Sequence, residues 1–286
     1  MIEISFPDKS KRSFKKGITP FEIAQSISEG LARNVLSSSF NKNIIEVSTP
    51  LEKNGDIKLF TWKDPEGKAA FWHSSAHILA QSILSVYPNA KLTIGPPIEN
   101  GFYYDVDFGN YSFTEKDLIP LEKKFLSYAR EKFEFKMRMC SKSDALNYYK
   151  KENNPFKLEL IENLKDGEIS FCDHADFTDL CKGGHIPNSG HIKAVKLLNV
   201  AGAYWRGDES KKQLTRIYGI SFPKQKELSE YLTLLEEAKK RDHRKLGKEL
   251  ELFTFSKKVG QGLPLWLPKG ADLRERLENF LKNAQE

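Results

Sequence analysis

Ile2-Glu-Ile-Ser-Phe6-Pro-Asp-Lys-Ser10, followed by Thr19-Pro-Phe-Glu22, decides the fold of the first part of the chain. Ile2, Ile4 and Phe6 alternate with polar residues at the two-residue period of a half-buried strand, and Pro7-Asp-Lys-Ser10 reads as a turn. A second strand ending near Lys15 completes a hairpin. Thr19 then stands as an N-cap, Pro20 at the first helical position and Glu22 at the third. In that arrangement side chains and backbone satisfy each other's orphan groups. Ile23, Ala24 and Ile27 give the helix its apolar side, and Gly30 is its expected stop. Strands follow around 35–40, 44–47 and 57–61, with Lys53-Asn-Gly-Asp56 as a tight turn.

Hairpin, helix and further strands is the order of a ubiquitin-like β-grasp, expected over residues 1–62. Trp62–Lys68 reads as a polar linker, and a helix over His73–Val86 opens a larger α+β region spanning 63–223. Phe102, Tyr104, Val106 and Phe108 alternate as a strand, and a helix near 115–132 turns Leu118, Leu121, Phe125 and Leu126 inward. Residues 195–200 and 214–218 read as buried strands, and 171–191 as a loop-rich stretch of the kind that carries sites. The charged segment 224–246 is expected to be a solvated linker helix rather than an RNA grip. Residues 247–286 begin a further domain and end in a helix with Leu273, Leu277, Phe280 and Leu281 on one side.

The 286 residues carry 45 basic and 39 acidic side chains, a formal charge of +6, which suits contact with a polyanion such as RNA without demanding it. Three cysteines, none spaced C-x-x-C, argue against a disulfide scaffold and for a reducing compartment. Met1 leads straight into a strand pattern, without the cationic and apolar regions of a secretory signal. No apolar run approaches the ~18 residues of a membrane span. A cytoplasmic location is expected.

Two signatures carry the chemistry: His73-Ser-Ser-Ala-His77 and Cys181-Lys-Gly-Gly-His185. On a helix, His73 and His77 share a face one turn apart. A Cys/His quartet can bind zinc or activate water. Ser74 stands where the metalloprotease motif places its glutamate, so peptide cleavage by that route is excluded. A single histidine on such a helix is more often structural; the matched distal pair reverses that reading. Gly183-Gly184 permits close approach of backbone to substrate, or forms a turn. Asp179 is either a group that fixes a histidine tautomer or binds an ammonium, or an ordinary loop carboxylate. Tyr104 either lines the pocket or belongs to an amphipathic strand. Cys140 and Cys172 read as small buried hydrophobes. His174 and His191 have only proximity to recommend them, and Trp205 is expected to pack.

At these residues the chain resembles the bacterial threonyl-tRNA synthetases. Residues 1–62 look like that family's TGS domain. His73–His77, Gly95-Pro-Pro-Ile-Glu-Asn-Gly-Phe-Tyr-Tyr-Asp105 and Asp179–His185 resemble its editing domain, and Gly202-Ala-Tyr-Trp-Arg-Gly-Asp208 the closing segment shared with alanyl-type editing domains. Asp242–Leu250 is similar to the linker into the class II catalytic core, and Gly262–Ala271 to the entry of its first motif.

The resemblance implies hydrolysis of the seryl ester of mischarged tRNA(Thr). His73, His77, Cys181 and His185 would be catalytic, with Asp179, Lys157 and Tyr104 in support and Lys157 stabilising the developing oxyanion. It implies the tRNA(Thr) acceptor end as partner and no metal required for editing, while zinc at the quartet stays open, since alanyl-type relatives use it. The later class II motifs and the core zinc ligands are not found, so a chain ending at Glu286 is expected to edit without charging tRNA. The full-length ligase would use ATP, Mg and a core zinc, and would dimerise through that core. The alternatives are a stand-alone trans-editing deacylase, a TGS-type RNA-binding module without turnover, and a generic zinc hydrolase.

Overall fold

The structure is a computed structural model that describes residues 1–260 and 262–286. The chain divides into two units, Met1–Leu228 and Ser229–Glu286.

The first unit opens with a five-stranded sheet in the order Lys11–Phe14, Ile2–Ser5, Gly55–Thr61, Val35–Phe40, Asn43–Ile45. Ile2–Ser5 runs parallel to Gly55–Thr61, and the other neighbours are antiparallel. Parallel neighbours need a crossover, and the helix Pro20–Ile27 lies on that connection. Both halves of its capping box form between Thr19 and Glu22, and it buries Ile23 and Ala24. This is the expected β-grasp. The helix stops earlier than Gly30, however. Ser28 takes an extended conformation, which ends it, and the Ser28 side chain then caps a second short helix, Glu29–Asn34.

The expected linker over 62–68 is largely helical. The next helix runs Pro65–Val86, with Pro65 in its first turn. Asp64 turns back to accept from the N–H and hydroxyl of Thr61 at 2.7 and 2.9 Å. The helix therefore grows directly out of the last strand of the first sheet. Gly67 permits the junction, because a Cβ there would lie 2.0 Å from the Thr61 carbonyl oxygen. From Ala70 to Ile83 every residue is buried except His73, so this is a central helix enclosed on nearly all sides.

Around it stands an antiparallel sheet in the order Ala194–Tyr204, Gln213–Phe222, Gly101–Asp107, Lys91–Leu92, with Pro97–Ile98 also paired to Gly101–Asp107. Two of its strands outrun the expected 195–200 and 214–218: the first runs on to Tyr204 through half-buried and exposed residues, and the second continues to Phe222 through buried Gly219, Ile220 and Ser221. A second sheet places Ser170–His174 between Phe177–Leu180 and Lys136–Met139. The helix over 118–130 buries Leu118, Leu121 and Phe125 as expected. Two helices with no sequence expectation attached, Lys142–Lys151 and Pro155–Glu162, bring Tyr149 and Lys157 inward.

In the second unit the charged helix is broken. Gln225–Lys240 ends, Asp242 caps a new helix at His243–Glu249 by accepting from Arg244 N–H, and a two-stranded hairpin follows. Leu273, Leu277, Phe280 and Leu281 of the last helix, Pro268–Gln285, are exposed. Among the described residues no helix is long and apolar enough to cross a membrane.

Candidate active site

The central helix and the loop after Phe177–Leu180 bring all four signature residues together. Their ligand-type atoms lie within 4.8 Å of one another. His73 Nε2 sits 3.3 Å from His77 Nε2, one helical turn away, and 3.3 Å from Cys181 Sγ. Cys181 Sγ is in turn 3.2 Å from His185 Nε2. Gly183 and Gly184 both take left-handed backbone, φ 93° and 87°, which lets the chain reverse within three residues so that Cys181 and His185 face each other. Phe135 stacks on His185 with its ring centroid 5.4 Å away.

Burial drives the titration of these groups. His77 is pushed below its usual value by desolvation, so the ring is neutral, and its Nδ1 has no hydrogen-bond partner. Burial also opposes ionisation of Cys181, but the surrounding His77 and His73 and the hydrogen bonds from His185 and His73 outweigh it, and the thiol falls well below its ordinary range. His185 is held well above its range against the same desolvation by Cys172, Cys181 and Glu46. An acidified Cys181 thiol thus stands between His73 and His185 beside a neutral His77, a set able to take and return a proton.

Asp179, Lys157 and Tyr104 lie alongside as one buried network. The Lys157 ammonium donates to Asp179 Oδ1, and the Tyr104 hydroxyl donates to Oδ2 at 2.7 Å. Tyr149 donates to Oδ1 at 3.3 Å, and its oxygen accepts from Leu180 N–H. Asp179 Oδ2 is 3.6 Å from His77 Nδ1, beyond hydrogen-bond reach. With both oxygens engaged by the protein, Asp179 orders its neighbours. Burial foremost, and then the Asp179 charge, raise the Tyr104 and Tyr149 hydroxyls well above their usual range, so both stay protonated as donors.

The quartet opens on a cleft of about 560 Å³, the size of a small-ligand site, lined by His73, His77, Tyr104, Lys157, Cys181 and Arg206 among others. His73 is the one residue of the enclosed helix segment that is not buried, and it faces this cleft. His185 is fully buried and acts on the cleft only through Cys181. His174 is also buried, with neither ring nitrogen partnered, and desolvation lowers it to about 3. His191 is half buried and outside the cleft lining. Cys172 is buried, and Cys140 packs beside the cluster of Ala145, Tyr149 and Phe171. Trp205 packs on Phe156 and Leu214 and donates to Glu159 at 2.8 Å.

Sequence reasoning missed Glu46 and Tyr149. Glu46 follows the edge strand Asn43–Ile45 of the first sheet, and its carboxylate accepts from Gly184 N–H at 2.9 Å and His185 N–H at 3.0 Å. Its Oε1 lies 3.1 Å from His185 Nδ1.

Two domain families match: the TGS domain over residues 2–61, and the threonyl and alanyl tRNA synthetase second additional domain over residues 169–218. Over its whole length the chain is 64% identical to a threonine–tRNA ligase of Flavobacterium johnsoniae and 63% identical to one of Flavobacterium psychrophilum, covering 44% of each. A threonine–tRNA ligase of Cytophaga hutchinsonii is 60% identical, again with 44% of its length covered. The chain thus spans less than half the length of these relatives. It belongs to the threonyl-tRNA synthetase family, as an N-terminal region made of a TGS domain and an editing-type domain.

Proposed function

We propose that residues 63–223 hydrolyse the ester of seryl-tRNA(Thr), with residues 1–62 as the TGS domain that supports them, 224–246 as a helical linker broken after Lys240, and 247–286 as the beginning of a class II catalytic domain. The observation that carries this reading is the convergence of His73, His77 and Cys181 on one cleft beside a buried ammonium, Lys157. A synthetic pocket built for threonine retains serine's hydroxyl contacts and separates the two only by a methyl group, worth roughly 1–3 kcal/mol. A second, hydrolytic site makes up the difference.

In this reaction the His73–His77 pair takes a proton from water as the water oxygen attacks the ester carbonyl carbon. The carbonyl electron pair moves to oxygen, where Lys157 offers positive charge, with Tyr104 and Asp179 fixing its position. The tetrahedral species then breaks its bond to the terminal ribose oxygen, which takes the proton back from the imidazole. Free serine and uncharged tRNA(Thr) leave. Cys181 and His185 form the wall that orients His73.

His73, His77, Cys181 and His185 also fit a tetrahedral metal such as zinc, with His73–His77 and His73–Cys181 separations of 3.3 Å near those of such a site. When bound, zinc would supply an acidified water. Hydrolysis does not require it on this reading, because the Cys181 sulfur and the His73 and His185 rings already satisfy one another. Exhaustive chelation is expected to leave the deacylation rate of this chain unchanged; loss restored specifically by zinc would overturn that. Binding of tRNA(Thr) without any turnover would favour an RNA-binding module instead. Within a longer ligase this region would work in the cytoplasm beside a dimeric core that attaches threonine with ATP and Mg, at a core zinc of its own.

A further inference from the structure

We propose that Glu46, a residue of the TGS domain, is a positioning residue of the hydrolytic site. The inference rests on the deacylase reading above and extends it across the domain boundary.

The loop that carries Cys181 and His185 is weakly held by its own strand. Pairing with Ser170–His174 ends at Leu180, after which only Ser170 continues it, accepting from Cys181 N–H at 3.0 Å and donating its hydroxyl to the Cys181 carbonyl oxygen at 2.5 Å. Two consecutive left-handed glycines then turn successive N–H groups to one side, forming a concavity suited to an anion. The Glu46 carboxylate fills it. It is largely buried, with 14% of its side chain exposed, and it takes three contacts from a loop 138–139 positions away. On the far side of the loop Ile186 N–H donates to Ser74 Oγ at 3.0 Å, so the turn is clamped between the TGS domain and the central helix.

The third contact has a chemical consequence. A carboxylate only accepts, so the His185 nitrogen facing Glu46 carries a hydrogen, and Nε2 is directed at Cys181 Sγ. The other group near Nδ1 is the Cys172 thiol at 3.8 Å, which could as well donate to an unprotonated nitrogen. Glu46 decides between the two. Through His185 and Cys181 it sets the position of His73 in the cleft. This gives the TGS domain a defined part in hydrolysis, distinct from any contact with RNA.

The test compares Glu46→Ala, Glu46→Gln and Glu46→Asp in this chain. An outer partner of a working histidine typically contributes ~10- to 100-fold. Glu46→Ala should lower kcat for seryl-tRNA(Thr) by that factor, with KM within about twofold. Glu46→Asp should recover part of the loss. Glu46→Gln can keep its one oxygen at the Oε1 position, which accepts from both backbone N–H groups and from Nδ1, so the loop should stay folded by thermal midpoint and kcat should lie closer to wild type than in Glu46→Ala. Nitrogen-15 spectra should then show the His185 Nδ1 proton present in the wild type and in Glu46→Gln and lost in Glu46→Ala. Unaltered kcat and an unaltered His185 ring in Glu46→Ala would overturn the proposal. A wild-type chain that does not hydrolyse the ester would instead remove the deacylase reading, and the ring spectra would still decide whether Glu46 orients His185.

Discussion

Asp179→Ala is expected to destabilise the chain by about 3–5 kcal/mol, the cost of leaving a buried charge without its partner, and to abolish hydrolysis. Both Asp179 and Lys157 are almost fully buried, at 3% and 2% exposure, and the Lys157 ammonium donates to Asp179 Oδ1. Removing the carboxylate strands that ammonium and also frees the hydroxyls of Tyr104 and Tyr149 from their acceptor, while the Leu180 N–H keeps the Tyr149 oxygen. Removing both charges together, in Asp179→Asn with Lys157→Met, should restore much of the stability but none of the activity. Urea unfolding midpoints measure the first effect. A double variant no more stable than Asp179→Ala would show that the ion pair is not what holds this part of the fold.

His77→Ala should lower the deacylation rate by ~10²- to 10⁴-fold, the usual contribution of a positioned acid–base group. His77 is enclosed in the central helix with its Nε2 3.3 Å from His73 Nε2, and burial keeps it neutral, the state needed to accept a proton. Its Nδ1 already lacks a hydrogen bond, so the substitution strands no polar partner there, and the fall in thermal midpoint should be that of the cavity left by a buried ring. Single-turnover hydrolysis of seryl-tRNA(Thr), read beside the melting curve, separates the two effects. A rate within about threefold of wild type, in a folded variant, would exclude His77 from the proton path.

How far the sequence speaks differs from residue to residue. Thr19-Pro-Phe-Glu22 announces its helix because capping is local, and the structure shows both halves of the box. The same local logic misplaces the end of that helix, since Ser28, able both to terminate one helix and to cap the next, outweighs Gly30. Pro65, Glu66 and Lys68 look like linker because a helix emerging from a sheet starts in solvent; the proline in the first turn was the available signal. The histidine pair and the Cys/His pair are legible from their spacing. Lys157 is not, because burial of a lysine depends on a carboxylate 22 positions away. Glu46 is beyond any local pattern: it meets His185 across 139 positions and two domains, and nothing beside it in the chain marks it out.

The central claim is that this cleft discriminates against serine after it has been attached to tRNA(Thr). The most direct measurement is the hydrolysis rate of seryl-tRNA(Thr) and of threonyl-tRNA(Thr) by this chain under identical conditions. The account predicts rapid loss of the seryl ester with the threonyl ester decaying at its spontaneous rate. Equal hydrolysis of both esters, or of neither, would contradict it.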